Sequence, residues 1–319
     1  MKKIFEVIKP GLSTSIQDLG RVGYQKYGIP TSGAMDSFAH RVANLLAGNQ
    51  EEEATLEIML MGPQLKVLQD TVVAIGGADL SATIDGKPLY PWKSFRVYAG
   101  QILSFGRPVN GMYAFLAVSG GFFAEEVMGS KSTYAQANIG GLEGRVLQKG
   151  DNLLSEDVNL KSIRAGRYLK ETDVPNYEQH RPIRVIAGPD IFAFSDKTYQ
   201  QFYQESYRIT EQSNRMGSRL EGKALSHAYR ADIISDAVLP GTIQVPANGQ
   251  PIVLLSDRQT TGGYARIATV ITTDIPLLIQ KKIGSEIQFL SVSLERAQAD
   301  YLQQQRFLKM LQTALQQPV

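Results

Sequence analysis

The chain has 319 residues, a length that accommodates two domains or one large β domain, with 33 Lys and Arg against 31 Asp and Glu. A formal net charge of +2 provides no overall field to hold nucleic acid or an anionic membrane, so any anion binding is left to local clusters. The absence of Cys excludes disulfides, thiolate metal sites and cysteine nucleophiles, and it suits a cytoplasmic protein.

Lys2 and Lys3 open the chain like a signal peptide, but Glu6, Lys9 and Pro10 interrupt any apolar core behind them. No later stretch approaches the roughly 20 apolar residues that span a bilayer. The expectation is a soluble protein. In the first half, Met35, Phe38, Ala39, Val42, Leu45 and Leu46 recur at helical spacing, and Gly48-Asn49 stops the helix. Short strands are predicted at 54–60, 64–68, 71–75, 95–97, 101–105 and 113–118, separated by turn residues. Asp85-Gly86 joins 81–84 to 87–90 as a two-residue hairpin, because the glycine tolerates the positive φ of a type I′ turn.

Residues 155–182 are polar and carry Pro175 and Pro182, so the domain boundary is expected at Arg181, giving domains 1–180 and 181–319. Beyond it come a strand at 183–187, a helix at 196–204 and strands at 242–245, 252–255, 265–271 and 286–292. A closing helix at 294–316 has sparse apolar positions, Tyr301, Leu308, Leu311 and Leu315, and is expected to pack along one narrow seam. Many short strands and few helices predict a mainly β protein of one or two barrels or a sandwich.

Several catalytic signatures are missing. His40, His180 and His227 form no H-E-x-x-H pair, no Gly-x-Ser-x-Gly elbow occurs, and no Lys sits between two Met as a biotin acceptor. Gly129-Ser-Lys-Ser-Thr133 departs from a phosphate-binding loop at Ser130 and Glu125, where the motif needs glycines. Four polar groupings remain. Asp36, His40 and Asn44 share one helix face, read either as a ligand-binding face or as a solvated one. Asp18 and Arg21 read as a turn-stabilising pair or as part of a site. Ser213 to Leu220 brings two guanidinium groups together; Arg215 is the preferred anion ligand, its alternative role being to bridge strands through carbonyls. The polar loop Asp257 to Tyr264, ahead of and including Gly262-Gly263, reads as a binding loop or as plain hairpin geometry.

Taken together, Gln17-Asp-Leu-Gly-Arg21, Ser32-Gly-Ala-Met-Asp36, Gly129-Ser-Lys-Ser-Thr-Tyr134, Ser213-Asn-Arg-Met-Gly217 and Gln259-Thr-Thr-Gly-Gly-Tyr264 resemble the KipA-like family. Its members are also known as allophanate hydrolase subunit 2 homologues or as the C subunit of 5-oxoprolinase. The resemblance covers nearly the whole chain and implies two cyclophilin-like β-barrel domains. It implies a KipI-like protein and a LamB/YcsF-type protein as partner subunits, opening 5-oxoproline to L-glutamate with ATP as co-substrate, Mg as its companion ion, and no biotin on this chain. It further implies catalytic roles for Arg215, Asp257 and Asp18. Substrate contacts fall to Asn214, Gln259, Thr260, Thr261, Gly262, Tyr264 and Arg21, with a small anionic substrate. Such a chain is expected to be inactive without its partners. Another branch implies a different role, antagonism of a KipI-like inhibitor of a sporulation kinase. The urea carboxylase branch is similar at Ser213-Asn-Arg215, but its later loop resembles Ser-Leu-Gly-Gly-Phe instead of Thr260-Thr-Gly-Gly-Tyr264.

Overall fold

The computed structural model describes residues 1–159 and 163–316. Among the described residues the fold is mainly β, with four α-helices: α1 (Ser37–Ala47), α2 (Asp196–Gln204), α3 (Ile275–Ile279) and α4 (Leu294–Gln316). Contacts group the chain into two compact units. The first comprises residues 1–22, 32–178 and 306–319, and the second 23–31 and 179–305. Among the described residues, no helix is long and apolar enough to cross a membrane.

The first unit holds a seven-stranded and a five-stranded sheet, whose inward side chains share one core that includes Phe5, Ile16, Ile58, Leu65, Val73 and Leu116. Thr71–Asp79 lies between Asn110–Val118 and Lys93–Val97 and is buried on both faces, so it lacks the alternation of a half-exposed strand. Gly76 in that strand admits α1: a Cβ there would stand 2.4 Å from the Ala39 carbonyl oxygen. The N-terminal run forms a strand, Lys2–Lys9, whose register shift between Lys3 and Phe5 turns both Ile4 and Phe5 inward. Asp85 (φ 49°) and Gly86 (φ 78°) make the expected hairpin turn between Thr83–Ile84 and Lys87–Pro88.

The second unit is built on an eight-stranded sheet running from Glu286–Ile287 through the barrel to Ile183–Ala187 and Phe289–Ser291. Its two end strands are consecutive in sequence, separated only by Gln288, so the sheet curls nearly closed. Phe202 of α2 stacks on Phe289 with ring centroids 4.7 Å apart, and both rings belong to the core of this unit. A separate two-stranded ribbon pairs Asp232–Ala237 with Thr261–Tyr264. The latter segment is therefore a strand, not the loop expected from its Thr-Thr-Gly-Gly composition. Arg266 fixes the ribbon to the barrel, with Nε donating to Asp190 at 2.6 Å and Nη1 to the Ala237 carbonyl at 2.9 Å.

α4 has the predicted bounds, and its expected seam holds at Leu308, Leu311 and Leu315, which are buried or half-buried, but not at Tyr301. Phe307 lies against Phe38 and Leu308 is fully buried in the first unit, whereas Tyr301 is 43% exposed. In the second unit the start of the helix is tied by Asp300, which accepts from Arg184 and Arg296, while Arg184 and Arg181 both clamp the buried Asp274.

Candidate functional site

In the first unit, Asp18 follows the strand Ser13–Gln17 and meets the segment 130–132. Its carboxylate accepts from Ser130 Oγ (2.7 Å), Ser132 Oγ (2.5 Å), Lys131 N (2.6 Å) and Gly20 N (2.8 Å). Burial raises the carboxyl's pKa, but the Ser132 and Ser130 hydroxyls and the backbone N–H groups of Gly20 and Lys131 outweigh it and hold the group below the ordinary aspartate value. Arg21, fully buried, donates to the Ser132 and Val127 carbonyls. Both side chains thus anchor the 127–133 segment. The same hydrogen bonds account for Gly129–Thr133: its two serine hydroxyls are spent on Asp18 and the Lys131 ammonium lies 3.3 Å from Glu53, so the segment has no phosphate cradle.

The shared helix face is closed as well. Asp36 caps α1 by accepting from Ala39 N (2.9 Å) and also accepts from Tyr177 Oη (2.8 Å). His40 Nδ1 lies 2.9 Å from Thr55 Oγ1, and Asn44 Nδ2 donates to the Glu53 carbonyl at 2.6 Å. All three are completely buried, so the face is neither solvated nor open to a ligand. Helical spacing gathered the residues correctly, but says nothing of what covers them. Burial drives the His40 pKa down to about 4, keeping the ring neutral.

The second unit arranges its polar residues differently. Gly217–Glu221 pairs antiparallel with Ile252–Leu254, and the turn before it closes on itself, with Asn214 Oδ1 accepting from Met216 N at 2.8 Å. Two backbone bonds zip this turn to the segment after Leu254: Asp257 N to the Arg215 carbonyl and Leu255 N to the Met216 carbonyl. Across that seam Arg215 binds Asp257 in fork geometry, Nε to Oδ2 at 2.8 Å and Nη2 to Oδ1 at 3.1 Å. Arg215 therefore bridges the two segments through a carboxylate, where carbonyls had been the expected alternative to an anionic ligand. Arg258, buried next to the pair, donates to the Val238 and Leu255 carbonyls and to Thr31 Oγ1, and burial lowers its pKa to about 10.

These contacts shape a cavity of about 320 Å³. Asn214, Gln259 and Tyr264 line it, together with Gln244, Asn248 and Arg219, over an apolar base that includes Met216, Ile252 and Leu254. Gln244 is buried and connects the wall, accepting from Gln259 Nε2 and donating to the Tyr264 carbonyl, both at 3.3 Å. Gly262 makes room for that amide, since a Cβ there would stand 2.3 Å from Gln244 Nε2. Thr260, just before the strand Thr261–Tyr264, and Thr261, its first residue, do not line the cavity, and Arg215 and Asp257 support it from the adjoining seam. Gln244 and Asn248 are missing from the sequence reading. The sole signal for Gln244 was an amide in an otherwise β-branched and apolar strand. Among the described residues, no three His, Asp or Glu side chains gather to hold a metal.

A family model, the carboxyltransferase domain comprising subdomains A and B, matches residues 27–291. The chain belongs to this carboxyltransferase-domain family. It is 39% identical to the C subunit of 5-oxoprolinase from Escherichia coli, over 97% of each chain. The corresponding 5-oxoprolinase chain of Haemophilus influenzae is 38% identical over 89% of each chain. Among solved structures, the urea amidolyase of Kluyveromyces lactis superposes with a TM-score of 0.91 at 30% identity, over 98% of this chain. The carboxyltransferase domain described here spans only 20% of that enzyme.

Proposed function

We propose that this chain is the C subunit of an ATP-dependent 5-oxoprolinase that opens 5-oxoproline to L-glutamate together with two partner subunits, one KipI-like and one of LamB/YcsF type. The observation that carries this reading is likeness over 97% of both chains to a protein named as that subunit, whereas the urea amidolyase match is to one part of a much longer chain. The cavity supports it chemically. A lactam presents a carbonyl that accepts and an N–H that donates, and carboxamide side chains offer both complements.

An unstrained lactam carbonyl is a poor electrophile, and ATP, with its companion Mg, enters as co-substrate of the complex to overcome this. The share assigned to this chain is to hold the ring amide between Asn214, Asn248 and Gln259, with Tyr264 at the wall and the Arg215–Asp257 pair fixing the two segments that carry them. The decisive assay copurifies the chain with its KipI-like and LamB/YcsF-type partners and follows glutamate formation from 5-oxoproline and ATP. The three together are expected to turn over and the chain alone to be inactive. Full activity of the two partners without this chain defeats the assignment, and partner binding without any glutamate formation favours the regulatory alternative, antagonism of a KipI-like inhibitor.

A further inference from the structure

Two arginines flank the turn at the cavity, and the geometry separates their roles. Arg215 places two nitrogens on Asp257. Four residues on, Arg219 projects outward from the strand Gly217–Glu221, opposite Ile252 in register, and its guanidinium meets no hydrogen-bonding or ionic partner among the described residues. It stands where the amide-lined cavity adjoins a second of about 570 Å³, and the two share Arg219, Asn248 and Ile252. Among the described residues, no Asp or Glu lines the smaller cavity, and Arg219 is its one charged group. In the larger cavity the other cation, Arg208, is already paired with Glu221.

The unspent hydrogen-bonding groups around Arg219 have a definite pattern. Asn214 Oδ1 is taken by Met216 N and Asn248 Oδ1 by Gln250 N, which leaves the Nδ2 donors of both. Gln259 uses its Nε2 on Gln244, which leaves its Oε1 as an acceptor. Two amide donors, one amide acceptor and a neighbouring guanidinium complement a molecule that joins a cyclic or primary amide to a carboxylate.

We propose that Arg219, not Arg215, is the anion-recognising residue of this site, and that it selects small amides bearing a carboxylate over amides that lack one. The inference deepens the oxoprolinase reading and takes its test substrate from it. Because Arg219 is exposed and unpaired, its replacement removes recognition without disturbing a folding contact.

The test titrates the full chain with 5-oxoproline and with 2-pyrrolidinone, the same ring without the carboxylate, for wild type, Arg219→Ala and Arg219→Lys, and checks each variant's thermal midpoint. Wild type is expected to prefer 5-oxoproline by about tenfold or more, the size of one charge-assisted contact. Arg219→Ala is expected to bind both ligands alike, with Arg219→Lys between. An unchanged preference in Arg219→Ala, or no binding of 5-oxoproline by wild type, overturns the proposal. The reconstituted complex supplies an independent arm, in which Arg219→Ala should raise KM about tenfold with kcat largely kept. If the complex has no oxoprolinase activity while the binding preference and its loss persist, the function falls and the role of Arg219 stands. If activity is present with KM unchanged in Arg219→Ala, the reverse holds.

Discussion

Asp18 and Asp257 occupy similar sequence settings, each an acid beside an arginine and a glycine-containing segment, yet they end in opposite situations. Asp18 receives three hydrogen bonds from the segment it touches and a fourth from Gly20 N, and no capacity remains for a ligand. Asp257 receives the Arg215 fork, while the residues that follow it, Gln259 to Tyr264, bring the Gln259 amide and Tyr264 to the wall of a cavity. The difference lies in saturation. A polar cluster whose partners are all supplied by the chain holds the fold together, and one with complementary groups left over can bind a ligand.

The largest expected effect is at the saturated cluster. Asp18→Ala strands two hydroxyl and two backbone donors in a buried position, so it should destabilise the protein by about 4 kcal/mol, read from the denaturant midpoint. A loss below about 1 kcal/mol would place the acid outside the folding core and reopen it as a site residue.

Acid titration distinguishes the buried groups by window. The folded pKa of His40 is about 4 against an ordinary 6.5, so the unfolded chain binds the extra proton first as pH falls. Its contribution is complete above pH 6.5 and is lost between about 6.5 and about 4, amounting to about 3 kcal/mol. Asp18 and Asp274 have depressed folded pKa values, so their contributions persist above the ordinary carboxylate value, about 3.9, and disappear as pH falls through the native values. His40→Gln should therefore flatten stability between pH 6.5 and 4 and leave the steeper loss below it. A wild-type slope that survives this substitution assigns the upper window to another group.

A smaller effect belongs to the pair at the cavity. Arg215→Ala leaves a mostly buried Asp257 without its cation and should cost about 2 kcal/mol. The double variant Arg215→Ala/Asp257→Ala should cost little more than the worse single one, because both remove the same contact. Strict additivity in that cycle would show that the two side chains act independently and that the pair does not position the cavity.

Much of the fold was legible because its signals are local. The helix at 196–204, the Asp85-Gly86 turn and the Gly48 stop each follow from a few neighbouring residues, and the structure has them at those places. Strands Gly217–Glu221 and Asp232–Ala237 were not read, since the first is interrupted by charge and the second is largely exposed along its whole length. The candidate cavity was legible in the same proportion. Asn214, Gln259 and Tyr264 announce themselves in compact motifs, whereas Gln244 becomes part of the wall only when Thr242–Gln244 is set between Ile252–Leu254 and Arg266–Val270. Periodicity assigns a side chain to a face, but which element covers that face is decided by pairing at long range.

The finest test of the comparison concerns two adjacent glycines. Gly262→Ala brings a Cβ to 2.3 Å from Gln244 Nε2, and that amide is buried and held between Gln259 and the Tyr264 carbonyl, so it has to leave its place. Gly263→Ala meets nothing closer than Ser235 Oγ at 3.5 Å, an ordinary contact. Neither position requires a positive φ, so both substitutions gain the same small backbone benefit and differ only in what the methyl group meets. Gly262→Ala should cost about 1 kcal/mol and weaken 5-oxoproline binding several-fold, whereas Gly263→Ala should be neutral in both. Equal binding by the two variants would mean that the Gln244 amide plays no part in recognition, which would then rest on Asn214, Asn248, Gln259 and Arg219.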